Sequence, residues 1–325
     1  MKIVRVLAAP VLLLGFLVVR LSLPYQGFPG EVYVEIPRGT STQGMADLLA
    51  GAGVVRTRWD FLAARVVRGD HVLQAGEYRF THRATSFEVY DRIAHGDIFY
   101  YELVVPEGKN MFDIGAAAEQ LGLFPAAQFL TAARNPSLIR ELDPQAPTLE
   151  GYLFPNTYRL GRHTTPERLC QIMTTKFREV WRGLPTRASV HDTVTLASLV
   201  EKEGKLAEER PRIAGVFENR LKIGMKLDCD PTTIYAALLA DRYRGTIYRS
   251  DLDSESPYNT YRHAGLPPGP IANPGLASIQ AVLDPSRSDE LYFVARPDGS
   301  GGHQFSSNLA DHQAATERYR RGLGR

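Results

Sequence analysis

The sequence predicts an α+β protein that begins with a membrane anchor. Three observations support this fold class: an apolar run near the N-terminus, a small β-rich region with a weak internal repeat, and a longer region that mixes helical periodicity with short strands. The 325 residues are 44% apolar and 23% charged, which is typical of a globular protein of about two domains. Wholesale disorder, collagen and coiled coil are therefore excluded.

The apolar run lies between basic residues. Lys2 and Arg5 precede an uninterrupted apolar stretch over 6–19, which alone is too short for a hydrocarbon core of about 30 Å. Residues 3–23 would cross a membrane if Arg5 and Arg20 placed their charges at the two interfaces. Because no small-x-small cleavage pattern follows, we favour an anchor over a cleavable signal peptide. The basic residues in front of the run predict a cytoplasmic N-terminus and an exported remainder.

Composition also limits the chemistry. With 38 basic and 36 acidic residues, the net charge of +2 gives no indication of a nucleic-acid-binding face. Cys170 and Cys229 are too few for a disulfide framework, and in an exported domain they would either pair or remain buried. The acids that flank Cys229 favour a turn over a metal site, and no Cys/His cluster has zinc spacing. We expect neither a metal nor a cofactor.

Residues 31–135 contain the weak repeat. Val34–Gly39 (VEIPRG) resembles Val104–Gly108 (VVPEG), and each copy leads from a β-rich segment through a Pro-x-Gly turn into helical spacing. Between the copies, residues 74–80 predict a strand and residues 86–93 a helix. Two interpretations remain. The copies are two common β-turn-α connections, or the region is a small glycan-binding fold of the LysM kind, with paired helices on a short sheet.

The pattern changes near Pro144, and residues 144–325 are predicted to form a second domain of mixed helices and short strands. An aromatic-rich segment broken by Gly and Pro comes first. Helices are predicted at 166–181, 193–203 and 210–221, followed by a strand at 291–294. Together with residues 1–25, assigned to the cytoplasmic N-terminus and one transmembrane helix, these regions complete the predicted organisation.

Carboxylates are the candidate reactive groups, because the sequence contains no nucleophile elbow, P-loop, dinucleotide fingerprint or H-E-x-x-H motif. At about 100° per residue, Glu203 falls on the same helical face as Leu199 and Val200, whereas Glu201 falls on the opposite side and is expected to be solvated. Desolvation would raise the pKa of Glu203 and suit it to donate a proton. The alternative is that the helix frays at Gly204 and Glu203 merely reaches water.

A second candidate segment, Tyr258–Tyr261 (YNTY), offers aromatic faces beside an amide and a hydroxyl group. Such mixtures bind sugars by stacking and hydrogen bonding. The alternative is a turn after Pro257 whose tyrosines pack on the core.

An ordered set of motifs resembles the YceG-like endolytic murein transglycosylase family (MltG). It covers the chain from about Leu149 to the C-terminus, and the N-terminal layout agrees as well. The motifs are LEGYLFP at 149–155, LASLVEKE at 196–203, VFENRL at 216–221, IGMKL at 223–227, DPTTIY at 230–235, YNTY at 258–261, GLPPGPI at 265–271 and GGH at 301–303.

The resemblance implies a lyase of the bacterial inner membrane, single-pass, with the bulk of the chain on the periplasmic side. It would cleave the MurNAc-GlcNAc bond within peptidoglycan glycan strands, leave 1,6-anhydroMurNAc ends and terminate the elongation of nascent strands. The implied partners are the glycan strand, the membrane, and penicillin-binding proteins or other glycan polymerases. Nucleic acid is not an implied partner.

The resemblance also implies the site. The family's catalytic glutamate is the second of its E-K-E motif, here Glu203, and Gly204 stands where the family usually has Thr, so any hydroxyl contact there is lost. The other motif positions are implied to contact substrate: Glu150, Asn219, Arg220, Asp230, Tyr258, Asn259, Thr260, Tyr261 and His303.

Two alternative functions remain at this point. A membrane-anchored glycoside hydrolase would need a second carboxylate facing Glu203, which Glu150, Asp228 or Asp230 would have to supply. A non-catalytic wall-binding protein would use its aromatic residues to hold glycan and Glu203 for structure, although retention of the whole motif set argues against it.

Overall fold

A computed structural model describes residues 15–323. They divide into two compact units, one ending at Tyr101 and the other beginning at Glu102, so the boundary falls inside the region predicted over 31–135. The α+β class is confirmed, with three two-stranded sheets in the described part of the chain. Most of the predicted transmembrane segment lies outside the described residues. Within 15–323, no helix has the length and apolarity needed to cross a membrane.

The first unit contains two strands and three helices, besides the helix over residues 15–22. Its strands pair antiparallel, with Val34 opposite Tyr78, and their inward side chains pack with the helices in one apolar core. Residues 15–22 are also helical and precede these elements. The elements are β1 (Val32–Ile36), α1 (Thr42–Gly51), α2 (Arg58–Arg68), β2 (Gly76–Phe80) and α3 (Ser86–His95).

The second unit carries the motifs of the candidate site. Short 3₁₀ turns at Pro136–Leu138 and Ala207–Glu209 join some of its elements. These elements are β3 (Tyr101–Val105), whose first residue belongs to the first unit, α4 (Met111–Gln120), α5 (Ala126–Ala133), β4 (Asn156–Leu160), α6 (Pro166–Arg182), α7 (Val190–Glu203), α8 (Arg210–Lys222), α9 (Asp230–Leu239), α10 (Arg249–Leu252), α11 (Leu276–Leu283), β5 (Tyr292–Ala295), β6 (His303–Ser306) and α12 (Leu309–Leu323).

The predicted repeat is confirmed as strand, turn and helix in both copies. The glycine of each Pro-x-Gly turn has a positive φ, 83° at Gly39 and 74° at Gly108, a conformation that favours glycine. Each copy then continues through a second helix to a strand that pairs with its own first strand, as β1-α1-α2-β2 and β3-α4-α5-β4. The structural repeat therefore extends beyond the part that is recognisable in the sequence.

Helix α7 lies at the centre of the second unit. Ser189 caps its N-terminus by accepting a hydrogen bond from the Asp192 amide at 3.3 Å, and every residue over 193–200 is buried. Helices α8, α9 and α11 pack around it. Because α7 is covered on all these sides, polar side chains in its last turn must either find partners or face a cavity.

The expectation that Glu201 is solvated was wrong. Its side chain is only 5% exposed, and its carboxylate accepts hydrogen bonds from Arg210 Nη2 at 2.9 Å, the Gly275 amide at 3.0 Å and Ser278 Oγ at 2.7 Å. Helix α11, more than 70 residues later in the chain, covers the face that the helical phase predicted to be open. Glu201 therefore joins α7 to α8 and to the start of α11.

Replacing Glu201 with Gln should destabilise the fold by about 3 kcal/mol, because it leaves Arg210 without its buried charged partner. Urea unfolding followed by circular dichroism measures the loss. Glu218→Gln is the matched control: Glu218 is in an exposed pair with Lys222, and its change should shift stability by no more than about 0.5 kcal/mol. Equal unfolding midpoints for Glu201→Gln and the unmodified protein would contradict this role.

Candidate active site

Glu203 is the last residue of α7, and the final turn of the helix is intact. The Gly204 amide donates a hydrogen bond to the Val200 carbonyl at 2.8 Å, so the helix does not fray before Glu203. A Cβ atom on residue 204 would lie 2.9 Å from Cγ of Arg210 and 3.0 Å from the Val200 oxygen. Glycine at this position therefore allows Arg210 to pack closely against the end of α7.

Cys229 is the direct hydrogen-bond partner of the Glu203 carboxyl group. Its Sγ lies 3.2 Å from Glu203 Oε1, and the thiol is the donor to the carboxylate. Asp228 adopts a positive φ of 47°, which supports the turn interpretation of this segment, and Cys229 is 1% exposed at the N-terminus of α9. Cys229 and Cys170 are both free and buried rather than paired with each other.

A cavity of about 440 Å³ opens beside Glu203. Of the predicted site residues, the structure brings together Glu203, Arg220, Asp230 and Tyr261 in its wall. Helices α7, α8, α9 and α12, strand β5 and the Tyr258–Tyr261 segment all contribute to it. The remaining lining residues are Phe217, Leu227, Asp228, Cys229, Tyr292, Phe293, Leu309 and His312.

Burial is the main electrostatic influence on Glu203. Desolvation raises the pKa of its carboxyl group, and the negative charge of Asp230 acts in the same direction. The Cys229 hydrogen bond and the positive charges of His303 and Arg220 act in the opposite direction and only partly offset the effect on the pKa. Glu203 therefore holds its proton to a higher pH than an exposed glutamate does, while the Cys229 thiol and the Arg220 charge stabilise its charged form.

Fixed polar contacts shape the cavity wall. The Tyr261 hydroxyl donates to Asp230 Oδ1 at 2.7 Å, at the first residue of α9. Arg220 donates from Nε to the Leu291 carbonyl at 2.6 Å, and its guanidinium lies 5.4 Å from the centre of the Tyr292 ring. A carboxylate, a phenol ring and a held guanidinium therefore face the same space as Glu203.

His312 is a cavity residue that the sequence analysis missed. Its ring stacks on Tyr292 with centroids 5.0 Å apart, and its buried Nδ1 has no hydrogen-bond partner among the described residues. Burial lowers the pKa of His312, and the nearby Arg220 charge adds to this effect, so the imidazole is neutral at neutral pH. His312 therefore contributes a neutral ring to the cavity wall, with its Nδ1 enclosed by the protein.

His303 lies next to the cavity rather than in its wall. Both carboxylate oxygens of Glu209 accept from the His303 backbone amide, and His303 Nδ1 lies 2.8 Å from Glu209 Oε2. Its ring meets Phe293, a lining residue, edge to face at 5.4 Å. Glu209, which the sequence analysis also missed, therefore fixes the orientation of the imidazole.

Three other predicted residues support the loops around the cavity. Asn219 donates to the Ser288 carbonyl at 2.8 Å, and Asn259 donates to the Ser254 carbonyl at 2.7 Å. Thr260 Oγ1 accepts the Cys229 amide at 3.0 Å. Thr260 therefore holds Cys229 in place, whereas the side chains of Asn219 and Asn259 fix the loops that carry Ser288 and Ser254.

Glu150 and Tyr258 are buried outside the cavity lining. Burial raises the pKa of Glu150 to about 8, and its carboxyl group accepts the Met111 amide at 2.9 Å and the Asn273 amide nitrogen at 2.8 Å. The Tyr258 ring packs on Tyr235 with centroids 5.2 Å apart. The structure thus separates Glu150 from the group of residues around Glu203.

Comparisons with known proteins point to one family. The sequence model of the YceG-like family matches residues 34–318. The chain is 32% identical over 309 residues to a protein of Bacillus subtilis named endolytic murein transglycosylase, covering 89% of this chain and 84% of that protein. A protein of the same name from Streptococcus pneumoniae strain D39 is 30% identical over 314 residues, which are 86% of this chain but only 57% of the pneumococcal protein.

A solved structure shows the same relationship. A 2.6 Å crystal structure of a YceG-like protein from Listeria monocytogenes is 31% identical in sequence and superposes with a TM-score of 0.56, covering 87% of this chain and 98% of that one. The match to the family's sequence model spans both compact units, from β1 to α12. The chain belongs to the YceG-like family.

Proposed function

We propose that this protein is a lyase that cleaves peptidoglycan strands internally, as an endolytic lytic transglycosylase. Membership of the family and the names of the relatives support the reaction class. The single observation that carries the residue assignment is Glu203, a carboxyl group with a raised pKa at the wall of an open cavity. Glu203 is the proposed catalytic acid.

The first step is protonation of the leaving group. Glu203 gives its proton to the glycosidic oxygen between MurNAc and GlcNAc, and the bond from that oxygen to C1 of MurNAc breaks. The N-acetyl oxygen of the same sugar assists departure by bonding to C1. Burial favours this step because it raises the pKa of Glu203, so the carboxyl group holds its proton to a higher pH than an exposed glutamate does.

The second step uses the same carboxyl group as a base. Glu203, now a carboxylate, takes the proton from the 6-hydroxyl of MurNAc, and O6 displaces the N-acetyl oxygen from C1. The product is the 1,6-anhydro ring, the enzyme regains its proton, and no water is consumed. The Cys229 thiol and the positive charge of Arg220 stabilise the carboxylate between the two steps. The intramolecular nucleophile also lowers the entropic cost of the reaction.

The cavity wall offers the groups that a sugar ring needs. Tyr261 and Tyr292 supply aromatic faces, and Asp230, His312 and Arg220 supply polar ones. We assign these five residues to substrate binding. Asn219, Asn259, Thr260 and His303 act on the substrate site through the loops and rings that they hold.

The first unit is proposed to hold or position the glycan. Its β1-α1-α2-β2 order, with antiparallel strands and two helices between them, supports the LysM-like interpretation. The sequence over 3–23 supports a single-pass anchor in the bacterial inner membrane, with both units on the periplasmic side. Glycan polymerases such as penicillin-binding proteins are proposed partners, because nascent strands are the proposed substrate.

A glycoside hydrolase is the second candidate function. Asp228 and Asp230 share the cavity with Glu203, and such an enzyme would use one of them as the second carboxylate that activates water. Asp230 Oδ1 is already engaged by the Tyr261 hydroxyl, and Asp228 Oδ2 lies 3.9 Å from Arg220 Nη1, which favours binding roles over that of a base.

Glu203→Gln should fold normally and lose about 10²–10⁴-fold in cleavage rate, because an amide cannot deliver the proton. The assay is release of fragments from purified glycan strands. Glu218→Gln, on the exposed face of α8, is the matched control and should cleave at the unmodified rate. Comparable rates for Glu203→Gln and the unmodified protein would remove Glu203 from the catalytic role.

Cys229→Ala should move the high-pH limb of the rate profile to higher pH. The thiol stabilises the charged form of Glu203 and so lowers its pKa; without this donor, the pKa rises and the protonated, active form persists to higher pH. Cys229→Ser retains a donor and should keep the limb close to that of the unmodified enzyme. A limb that stays in place or moves to lower pH in Cys229→Ala would show that the thiol does not set the pKa of Glu203.

A further inference from the structure

We propose that the outer face of α2 lies on the lipid bilayer that the N-terminal segment enters. This outer face consists of Trp59, Leu62, Ala63 and Val66. The inference rests on the proposed single-pass anchor and adds a second, peripheral contact of the first unit with the membrane.

The outer face is apolar and exposed. Trp59 is 64% exposed and Val66 is 83% exposed, and their spacing of two helical turns places them on one side of α2. Leu62 and Ala63 lie between them and are half-buried. The opposite side of the same helix buries Phe61 in the core of the first unit. An exposed apolar side on a helix that already buries its opposite side is typical of a surface that contacts a membrane or a partner.

An ion pair connects the N-terminal helix to the start of α2. Arg20, in the helix over 15–22, donates from Nε to Asp60 Oδ1 at 2.7 Å and from Nη2 to Asp60 Oδ2 at 3.1 Å. Asp60 is 4% exposed and also accepts the Thr57 amide at 3.0 Å, within the capping box of α2. Leu21, the next residue of the N-terminal helix, is fully buried. The end of that helix is therefore fixed against the first turn of α2.

This connection places the outer face near the membrane. The helix over 15–22 exposes Phe16 by 69% and Val19 by 59%, and it continues the apolar run of the sequence. In a membrane-spanning segment over 3–23, Arg20 is at the outer interface between lipid and water, and the ion pair places Asp60 at the same depth along the membrane normal. Trp59 precedes Asp60 in the chain and therefore lies at about that depth too.

The chemistry of the face matches the boundary between lipid headgroups and acyl chains. Tryptophan prefers this boundary, and arginines beside it can meet lipid phosphates. The Arg58 guanidinium lies 4.7 Å from the centre of the Trp59 ring and 3.4 Å from Asp47, and that of Arg56 lies 4.8 Å from the Tyr25 ring. The first turn of α2 thus presents tryptophan beside arginine, and its outer face continues in aliphatic side chains.

The test uses the full chain reconstituted in vesicles of phosphatidylcholine and phosphatidylglycerol whose acyl chains carry bromine, a short-range quencher of tryptophan. The chain has two tryptophans, Trp59 and Trp181, so Trp181→Phe leaves only Trp59 and Trp59→Phe leaves only Trp181. Trp181 is 9% exposed in the second unit and is the matched control. We expect Trp59 to lose more than half of its emission and Trp181 to lose little.

A second probe does not depend on replacing Trp181. Val66→Cys can be labelled selectively with an environment-sensitive fluorophore, because Cys170 and Cys229 are buried. Its emission should shift to the blue when the full chain passes from detergent into vesicles.

Vesicle flotation separates the two proposals. If the chain floats with vesicles but neither Trp59 nor the label at residue 66 responds, the anchor stands and the proposed contact of α2 is wrong. If the chain does not float, both the anchor and the contact are wrong, while the proposed catalysis by Glu203 is unaffected.

Discussion

The burial of the Glu203 carboxyl group beside the Cys229 thiol is the interaction on which the rest of the site depends. It requires α7 to remain helical through its last residue and α9 to begin at a fixed distance from it. The loop that carries Thr260 sets this distance by accepting the Cys229 amide. Burial alone would leave a carboxyl group that gives up its proton with difficulty; the thiol and the neighbouring cations make the charged form accessible.

Two glutamates in the last turn of α7 have different roles, one structural and one catalytic, because their surroundings differ. Glu201 is saturated with donors from Arg210, Gly275 and Ser278, and its carboxylate has no access to a substrate. Glu203 has one thiol partner and faces a cavity. The same residue type, two positions apart, therefore stabilises the packing of three helices in one case and is available for proton transfer in the other.

Local sequence patterns were sufficient to predict the parts of this fold that depend on interactions between residues close together in the sequence. The phase of α7 identified the face of Glu203, and the helix ends before Gly204 as predicted, although it begins at Val190 rather than at Thr193. Contacts between distant segments could not be predicted in this way. Helix α11 covers Glu201, and β5 and α12 bring Tyr292 and His312 into the cavity, although no local pattern connects them with α7. The pairing of Cys229 with Glu203 was missed for the same reason.

The central claim is that one carboxyl group and the sugar's own hydroxyl complete the reaction without water. Cleavage of purified glycan strands in heavy-oxygen water, followed by mass spectrometry of the products, tests it most directly. We predict that the new ends carry the 1,6-anhydro ring and no heavy oxygen, because O6 of the sugar is the nucleophile. Reducing ends that contain the heavy isotope would show that water attacked C1, and the assignment would then change to glycoside hydrolysis even if Glu203 proved essential.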